Sequence, residues 1–469
     1  MNRLDRNIKL VFVLFCILFT SLIVYLTYFM VYERDRLVQS SYNRRLWEQE
    51  EKVTRGTIYD AKGRPLAKTE IEGGEKKRFY MGKDAAGPLI GYNDRRLGRA
   101  GLENLLNSEL LGLSQKDPMT LLRQQILGVS DRGNDVYLTI DWELQELGYK
   151  LFGGKRGALA AVDPKTGAIL ALVSSPGFDS SQLSQKWDSV VNDPEKPLIN
   201  RATQGLYPPG SSFKIITLAA ALANVPEIED KVYYTPGYVK VKGSIIRDYE
   251  GLEPGDYDIS KAFSLSSNSV FIQIGQDAGR ENIYKMAESF GFNSPIRTDL
   301  PIAISKFPEP PLLGGEVEVA EDSIGQGKIL ATPLQMARVA AIVANQGMQL
   351  KPYIVNKIVS PIGNEKIFQP SKESGRVLDH SIAEKIKWYM VDVITNGTGK
   401  PARINGVTVA GKTGSAENPH GKAHAWFVGF APAEEPAIAI AVIVENAGSG
   451  GANAGPIARE VMSKYLSQR

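Results

Sequence analysis

The sequence predicts an α+β fold. Its large domain is an antiparallel sheet built from both ends of the domain, with a mostly helical stretch between them. A smaller domain and one membrane-spanning helix precede it. Three observations predict this. Leu10 to Tyr32 carries no charge. Strand-like runs cluster over residues 135–175 and again over 407–446. Helical patterns dominate between those clusters.

The uncharged segment, LVFVLFCILFTSLIVYLTYFMVY, is long enough to cross a hydrocarbon core as a helix. A cleaved signal peptide has a shorter apolar core, about 7–15 residues, and a small-x-small cleavage site. This segment ends instead in Tyr-Phe-Met-Val-Tyr-Glu-Arg. An uncleaved anchor over 10–32 is expected, with residues 1–9 as a cytoplasmic tail. Tyr25, Tyr28 and Tyr32 suit an interfacial belt. Arg3, Arg6 and Lys9 precede the segment, whereas Arg34, Arg36, Arg44 and Arg45 follow it. The flanking charges therefore do not set the topology.

Residues 33–53 are charged and periodic, as a juxtamembrane helix would be. In RGTIYDAKGRPLA (55–67), Ile58 and Tyr59 run into a turn-forming Asp-Ala-Lys-Gly, the pattern of a strand and hairpin. Helical patterns occupy 97–130, where LENLLNSELLGL repeats leucine at core-packing spacing. The smaller domain is expected over 33–134 and the large one over 135–469.

The large domain opens on DVYLTID, whose apolar residues alternate as in a strand. GALAAVD and AILALVSS follow as two strands joined by a Pro-Lys-Thr-Gly hairpin. VTVAG (407–411), AWFVGFAP (425–432) and AIAIAVIVEN (437–446) supply three more. One intervening helix is well punctuated. Thr332 caps it, Pro333 fits its first turn, Gln335 completes a capping box and Gly347 marks its stop.

Composition narrows the chemistry. The 469 residues carry a formal net charge of +3, so no polybasic nucleic-acid partner is implied. A single cysteine, Cys16, excludes an internal disulfide framework and a Cys-rich zinc site. Only His380, His420 and His424 are available to a Ser-His-Asp mechanism. The histidines make no zinc pattern, and His424 reads as a surface or packing residue. Glu417 reads as a solvated loop carboxylate.

LYPPGSSFKIITLAAALAN (206–224) is the most informative segment. Pro208, Pro209 and Gly210 break structure, and an apolar helix follows. Ser211 then sits at the helix start, with Lys214 one turn later on the same face. A serine hydroxyl needs a base to become a nucleophile, and a lysine serves when burial lowers its pKa. Ser212 does not fit, because Ile215 lies three positions on. Ser211 is the one serine with lysine at that spacing. Alone, the pair reads first as a helix cap and a solvated lysine, so companions must decide. Ser266-Ser267-Asn268 is one, with Ser41-Tyr42-Asn43 as a second S-x-N. Lys412-Thr413-Gly414 is the other, with Lys165-Thr166-Gly167 as a decoy in the hairpin. Only Ser211, Ser266 and Lys412 keep the order S-x-x-K, S-x-N, K-T-G.

That ordered set resembles the penicillin-binding proteins, the serine D,D-peptidase and β-lactamase superfamily. RGTIYDAKGRPLA and GRAGLENLLNSEL look like boxes of the non-catalytic domain in class B members. GNDVYLTIDWELQ, AAVDPKTGAILALVSSPGFD, NRATQGLYPPGSSFK, GQGKILATPLQMA and HAWFVGFAP look like class B transpeptidase segments. The resemblance implies a five-stranded antiparallel sheet flanked by helices, on a pedestal (dimerisation-like) domain at 33–134. It implies peptidoglycan stem peptides ending in D-Ala-D-Ala as substrate. Ser211 would attack the penultimate carbonyl with Lys214 as base, and Ser266 would relay a proton to the leaving amine. Asn268 would hold the donor peptide, Lys412 would supply positive charge, and Thr413 would bind the terminal carboxylate. Gly414 would let the substrate strand approach. The N–H groups of Ser211 and Ser415 would form the oxyanion hole. β-Lactams would acylate the same serine. No metal and no cofactor are implied. A single-pass membrane location follows, with catalysis on the extracytoplasmic side and a SEDS-type glycosyltransferase as partner.

A class A β-lactamase would need an E-x-x-L-N box between Asn268 and Lys412, and none is present. Residues 33–134 leave no room for a glycosyltransferase domain. A D,D-carboxypeptidase shares the acylation step, and a scaffold that activates a glycosyltransferase is the non-enzymatic alternative.

Overall fold

The computed structural model describes residues 3–29, 53–113, 126, 132–249, 251–309, 315–368, 375–419 and 421–469. Tyr32, nearly all of the expected juxtamembrane helix, Ser41-Tyr42-Asn43 and His420 lie outside those residues, as does much of 114–131.

Helix α1 spans Arg3–Tyr28. Its stretch Asn7–Tyr28 is apolar and long enough to cross a bilayer, and none of it is buried. Such a stretch fits lipid, where apolar side chains face outward around the whole helix.

Two sheets organise the rest. The first has β1 (Ile58–Tyr59), β2 (Pro65–Glu72), β3 (Glu75–Tyr80), β4 (Asp135–Leu138), β7 (Val355–Val359) and β8 (Glu365–Ile367), in the order β8-β7-β4-β1-β2-β3. The expected hairpin is present. Asp60 Oδ1 accepts from the N–H groups of Lys62 and Arg64 at 2.9 and 2.7 Å, which closes the turn between β1 and β2. Fully buried Glu103 ties this part together. It accepts from Arg55 Nε at 2.6 Å and from Arg78 Nε at 2.8 Å. Burial alone would raise its pKa, but the two guanidinium groups outweigh that and hold it below the usual carboxylate value.

The second sheet is antiparallel and five-stranded. It holds β5 (Gly157–Val162), β6 (Ile169–Ser175), β9 (Ala410–Ala416), β10 (His424–Ala431) and β11 (Ile438–Val444), in the order β9-β10-β11-β5-β6. Strands from both ends of the domain therefore meet at β11 and β5, where Ala441 faces Ala160. Alternate residues of β11 feed opposite cores. Ala439, Ala441 and Ile443 join the larger core with helix α4 (Pro333–Ala344), whereas Ile438, Ile440 and Val442 pack with helix α5 (Gly450–Leu466). Helices on both faces explain why β11 is an unbroken apolar run.

Three expectations need correction. DVYLTID does form a strand, but β4 lies in the first sheet, between β1 and β7. Its ladder runs parallel to β1 and antiparallel to β7. The strand read at 407–411 starts and ends three to five residues later, at Ala410 and Ala416, because the ladder to β10 begins where Ala410 faces Phe430. The K-T-G triplet thus lies inside an edge strand. Thr332 caps α4 by accepting from Gln335 N at 3.1 Å, but no capping box forms. The Gln335 amide instead donates to Phe290 O at 2.7 Å, a carbonyl that also accepts from Gln349 Nε2 at 3.5 Å.

Candidate active site

The segment that carries Ser211 begins as a 3₁₀ turn, Gly210–Phe213, and continues as helix α2, Lys214–Asn224. The turn is pinned from two sides. Gly210 N donates to Gly325 O at 2.9 Å. Trp426 Nε1 on β10 donates to Pro208 O at 3.0 Å. Tyr207 stands edge-on to Trp426 and gives its hydroxyl to Glu445 at 2.9 Å. Glu445 also accepts from Arg201 Nε at 3.0 Å. Ser212 is fully buried and donates to Pro209 O at 2.7 Å, so its hydroxyl is committed to the turn. Ser211 is partly exposed beside it.

Lys214 is completely buried on α2. Its Nζ donates to Ser266 O at 2.8 Å, to Ser267 O at 3.1 Å and to Asn268 Oδ1 at 2.9 Å. Ser266 Oγ lies 3.5 Å away. Burial pulls the Lys214 pKa well below the usual lysine value. The neighbouring Lys412 charge pushes it the same way, and Asp248 opposes them.

Ser266 occupies the left-handed region, with φ +62°, which is uncommon for a residue with a side chain. That geometry turns the chain between helix Ile259–Ser264 and helix α3, Asn268–Ala278. It presents the Ser266 hydroxyl to both lysines. Lys412 Nζ donates to it at 2.7 Å and to Thr413 O at 3.1 Å. Lys412 is fully buried, and burial pulls its pKa down to about 7. Thr413 Oγ1 lies 2.6 Å from Thr398 Oγ1. A Cβ on Gly414 would meet Ser212 N at 3.1 Å, so the Ser211 turn lies directly against this strand. Ser415 is exposed between buried neighbours on β9.

The structure therefore brings Lys214, Ser266, Asn268 and Lys412 into one hydrogen-bonded group, with Gly414 against the Ser211 turn. The Ser211 hydroxyl makes no hydrogen bond to Lys214 within 3.5 Å, since Lys214 is engaged by the 266–268 turn. Catalytic hydrogen bonds often tighten only once substrate is bound. The decoy Lys165 pairs with Glu435 at 3.0 Å on the surface. His424 accepts from Asn446 N at 3.1 Å and packs edge-on to Tyr207, which is a packing role. Glu417 is exposed. Among the described residues, no group of three or more His, Cys, Asp or Glu side chains could hold a metal ion.

Sequence reasoning missed Asp248. It follows the strand Ser244–Arg247, and its carboxylate meets the start of α3. A lone acid in a polar loop gives no signal of this kind. Arg201, Tyr207 and Glu445 were missed for the same reason, because they meet only in the folded chain.

Such a buried lysine–serine–lysine group on an antiparallel sheet with helices on both faces defines an acyl-serine enzyme of the penicillin-binding type. A profile of the penicillin-binding protein transpeptidase domain matches residues 157–463, and one of the penicillin binding protein A dimerisation domain matches 55–136. The chain belongs to the penicillin-binding protein transpeptidase family. It is 32% identical to the peptidoglycan D,D-transpeptidase PbpA of Mycobacterium tuberculosis, over 99% of each chain. It is 30% identical to the peptidoglycan D,D-transpeptidase MrdA of Haemophilus influenzae, over 82% of this chain and 65% of that one. Among solved structures, the ceftriaxone acyl-enzyme of M. tuberculosis penicillin-binding protein A superposes with a TM-score of 0.84 at 32% identity. It covers 90% of this chain and all of that one. The imipenem acyl-enzyme of the same protein gives 0.82 at 33% identity, over 89% and 100%.

Proposed function

We propose that this chain crosslinks peptidoglycan stem peptides as a D,D-transpeptidase, through an acyl-enzyme on Ser211. The observation that carries the residue assignment is the hydroxyl of Ser266, shared by two buried lysines whose pKa values burial has lowered. In the neutral form that its lowered pKa makes more accessible, Lys214 takes the Ser211 proton as Oγ bonds to the penultimate D-alanine carbonyl. The N–H groups of Ser211 and Ser415 hold the oxyanion, a contribution of about 3 kcal/mol per donor. The peptide C–N bond breaks, and the terminal D-alanine leaves as an amine with a proton passed on by Ser266. Asn268 holds the donor peptide amide. Lys412 and Thr413 face its carboxylate, and Gly414 gives it room. An amine of a neighbouring stem then attacks the acyl-enzyme, completing the crosslink. A β-lactam enters as a donor mimic and remains on Ser211.

The same reading places the anchor at 10–32, the tail at 1–9, the pedestal at 33–134 and the transpeptidase domain at 135–469. The catalytic side is extracytoplasmic, where stem peptides are crosslinked. The anchor and pedestal bind a SEDS-type glycosyltransferase. Replacing 10–134 with an unrelated anchor is expected to abolish co-purification with that polymerase; unchanged co-purification rejects the partner.

The nucleophile is tested by covalent labelling with a fluorescent penicillin. Ser211→Ala is expected to lose the labelled band, whereas Ser212→Ala keeps most of it. A labelled Ser211→Ala band overturns the assignment.

A further inference from the structure

The S-x-N turn carries three oxygens to which Lys214 donates, yet Ser266 sits in a backbone region that does not hold itself. Something must fix the turn, and one carboxylate gathers donors from the turn and from the residue after it. Asp248 Oδ1 accepts from the backbone N–H groups of Asn268 at 2.5 Å and Ser269 at 2.9 Å, and from Ser267 Oγ at 3.1 Å. Asp248 Oδ2 accepts from Ser269 Oγ at 2.5 Å and from Thr235 Oγ1 at 3.3 Å. The backbone next to it joins the same grip, since Asn268 Nδ2 donates to Arg247 O at 3.0 Å. That bond orients the Asn268 amide so that its Oδ1 faces Lys214 Nζ at 2.9 Å.

We propose that Asp248 is a positioning residue of the acylation step: its carboxylate clamps the 266–268 turn against Lys214 and is the negative charge of an otherwise cationic site. It touches neither the reacting serine nor Lys214, so it acts through the turn. A carboxylate is suited to this, because it accepts from five donors at once and an amide at the same position accepts through one oxygen only. Three buried hydroxyls and two N–H groups at the start of α3 are satisfied in this way. The charge also matters. The charged groups acting on Lys214 are Lys412, which lowers its pKa, and Asp248, which raises it. Asp248 thus keeps Lys214 from losing basicity altogether.

The proposal rests on the reading of Lys214 and the S-x-N turn as acylation machinery, so its test runs in the chain with Ser211 intact. The second-order rate of acylation by a fluorescent penicillin is followed from pH 6 to 10, beside the thermal midpoint. Asp248→Asn is expected to acylate at least tenfold more slowly, as a displaced catalytic group does. Its rise with pH is expected to move to lower pH, because Lys214 has lost the charge that held its proton. A rate within twofold of wild type overturns the proposal. So does a slower rate with an unmoved pH profile, which marks a purely structural residue. Should Asp248→Asn fail to fold, the double variant Thr235→Val, Ser269→Ala strips two hydroxyl donors from the carboxylate and leaves its charge. That variant is expected to slow acylation by about fivefold with its pH profile in place, and an unchanged rate there is equally fatal. Loss of labelling in Ser211→Ala alongside a wild-type Asp248→Asn rejects Asp248 alone; persistent labelling in Ser211→Ala rejects the underlying reading.

Discussion

Lys412 Nζ and Ser266 Oγ meet at 2.7 Å although 146 residues separate them in the chain. The contact joins an edge strand to the turn before α3, and it sits in complete burial at the lysine end. Desolvation is what lowers the Lys412 pKa, so its charge is held at an energetic disadvantage where the substrate carboxylate is proposed to bind.

Removing that lysine is expected to separate stability from activity. An unfolded lysine titrates at about 10.4, whereas Lys412 in the fold titrates at about 7. Above the unfolded value neither state is charged and the site imposes no penalty. As pH falls towards 7 only the unfolded chain gains a proton, so stability is lost across that window and levels off below it. Lys412→Met is therefore expected to melt at least about 2–4 °C higher than wild type at pH 7, with the difference vanishing near pH 10. Acylation by a fluorescent penicillin is expected to fall by about 100-fold or more. A melting point below that of wild type at pH 7 contradicts the argument.

Glu103 is the opposite case, an acid whose burial is offset by Arg55 and Arg78. Glu103→Ala leaves two buried guanidinium groups facing each other and is expected to destabilise the chain by about 3–5 kcal/mol. Its carboxyl titrates below the usual value, so its stabilisation is present above the unfolded pKa and is lost as pH falls below it. The stability gap between wild type and Glu103→Ala is expected to begin closing as pH falls below about 4, which circular dichroism melts across pH 3–7 will check.

Gly325 tests the seat of the proposed nucleophile. Its φ is +73°, and a Cβ there would lie 2.2 Å from Gly210 O, so a side chain forces the turn to move. Gly325→Ala is expected to slow acylation by about 10–100-fold, with the far-ultraviolet spectrum unchanged. Wild-type acylation kinetics would show that the turn tolerates the shift.

The decoy triplet supplies a negative control. Lys165 and Glu435 are half-exposed and exposed partners on the surface. Lys165→Ala is expected to keep full labelling and to melt within about 1 °C of wild type. A loss of labelling comparable to that of Lys412→Met would mean that the wrong K-T-G was chosen.

How much of this was legible beforehand depends on how local each signal is. Ser211 and Lys214 are one helical turn apart, so spacing alone predicts their shared face. The order of the three motifs then selects Ser266 and Lys412, and β10 and β11 announce themselves as buried runs. What the sequence hid is everything decided by distant partners. DVYLTID reads as a strand, but nothing in its letters says that residues 355–359 and 58–59 are its neighbours. Gln335 stands where a capping box needs it, and a carbonyl 45 residues earlier takes its amide instead. The Ser266 conformation was equally hidden, because a positive φ in a residue other than glycine is imposed by its surroundings. Asp248 was illegible as a single acid in a hairpin exit, since its donors lie on the turn it grips.

The six-stranded sheet has a consequence for how the protein comes to be made. β4 lies between β1, near residue 58, and β7, near residue 357. The first sheet therefore waits for a strand synthesised about three hundred residues after its opening one, and parallel or distant pairings of this kind form slowly. Until β7 follows, β4 has one edge unpaired, an edge open to mispairing. The late-arriving residues 355–367 thus act as a closing clasp, and delivery of a finished pedestal is timed by the transpeptidase half of the chain.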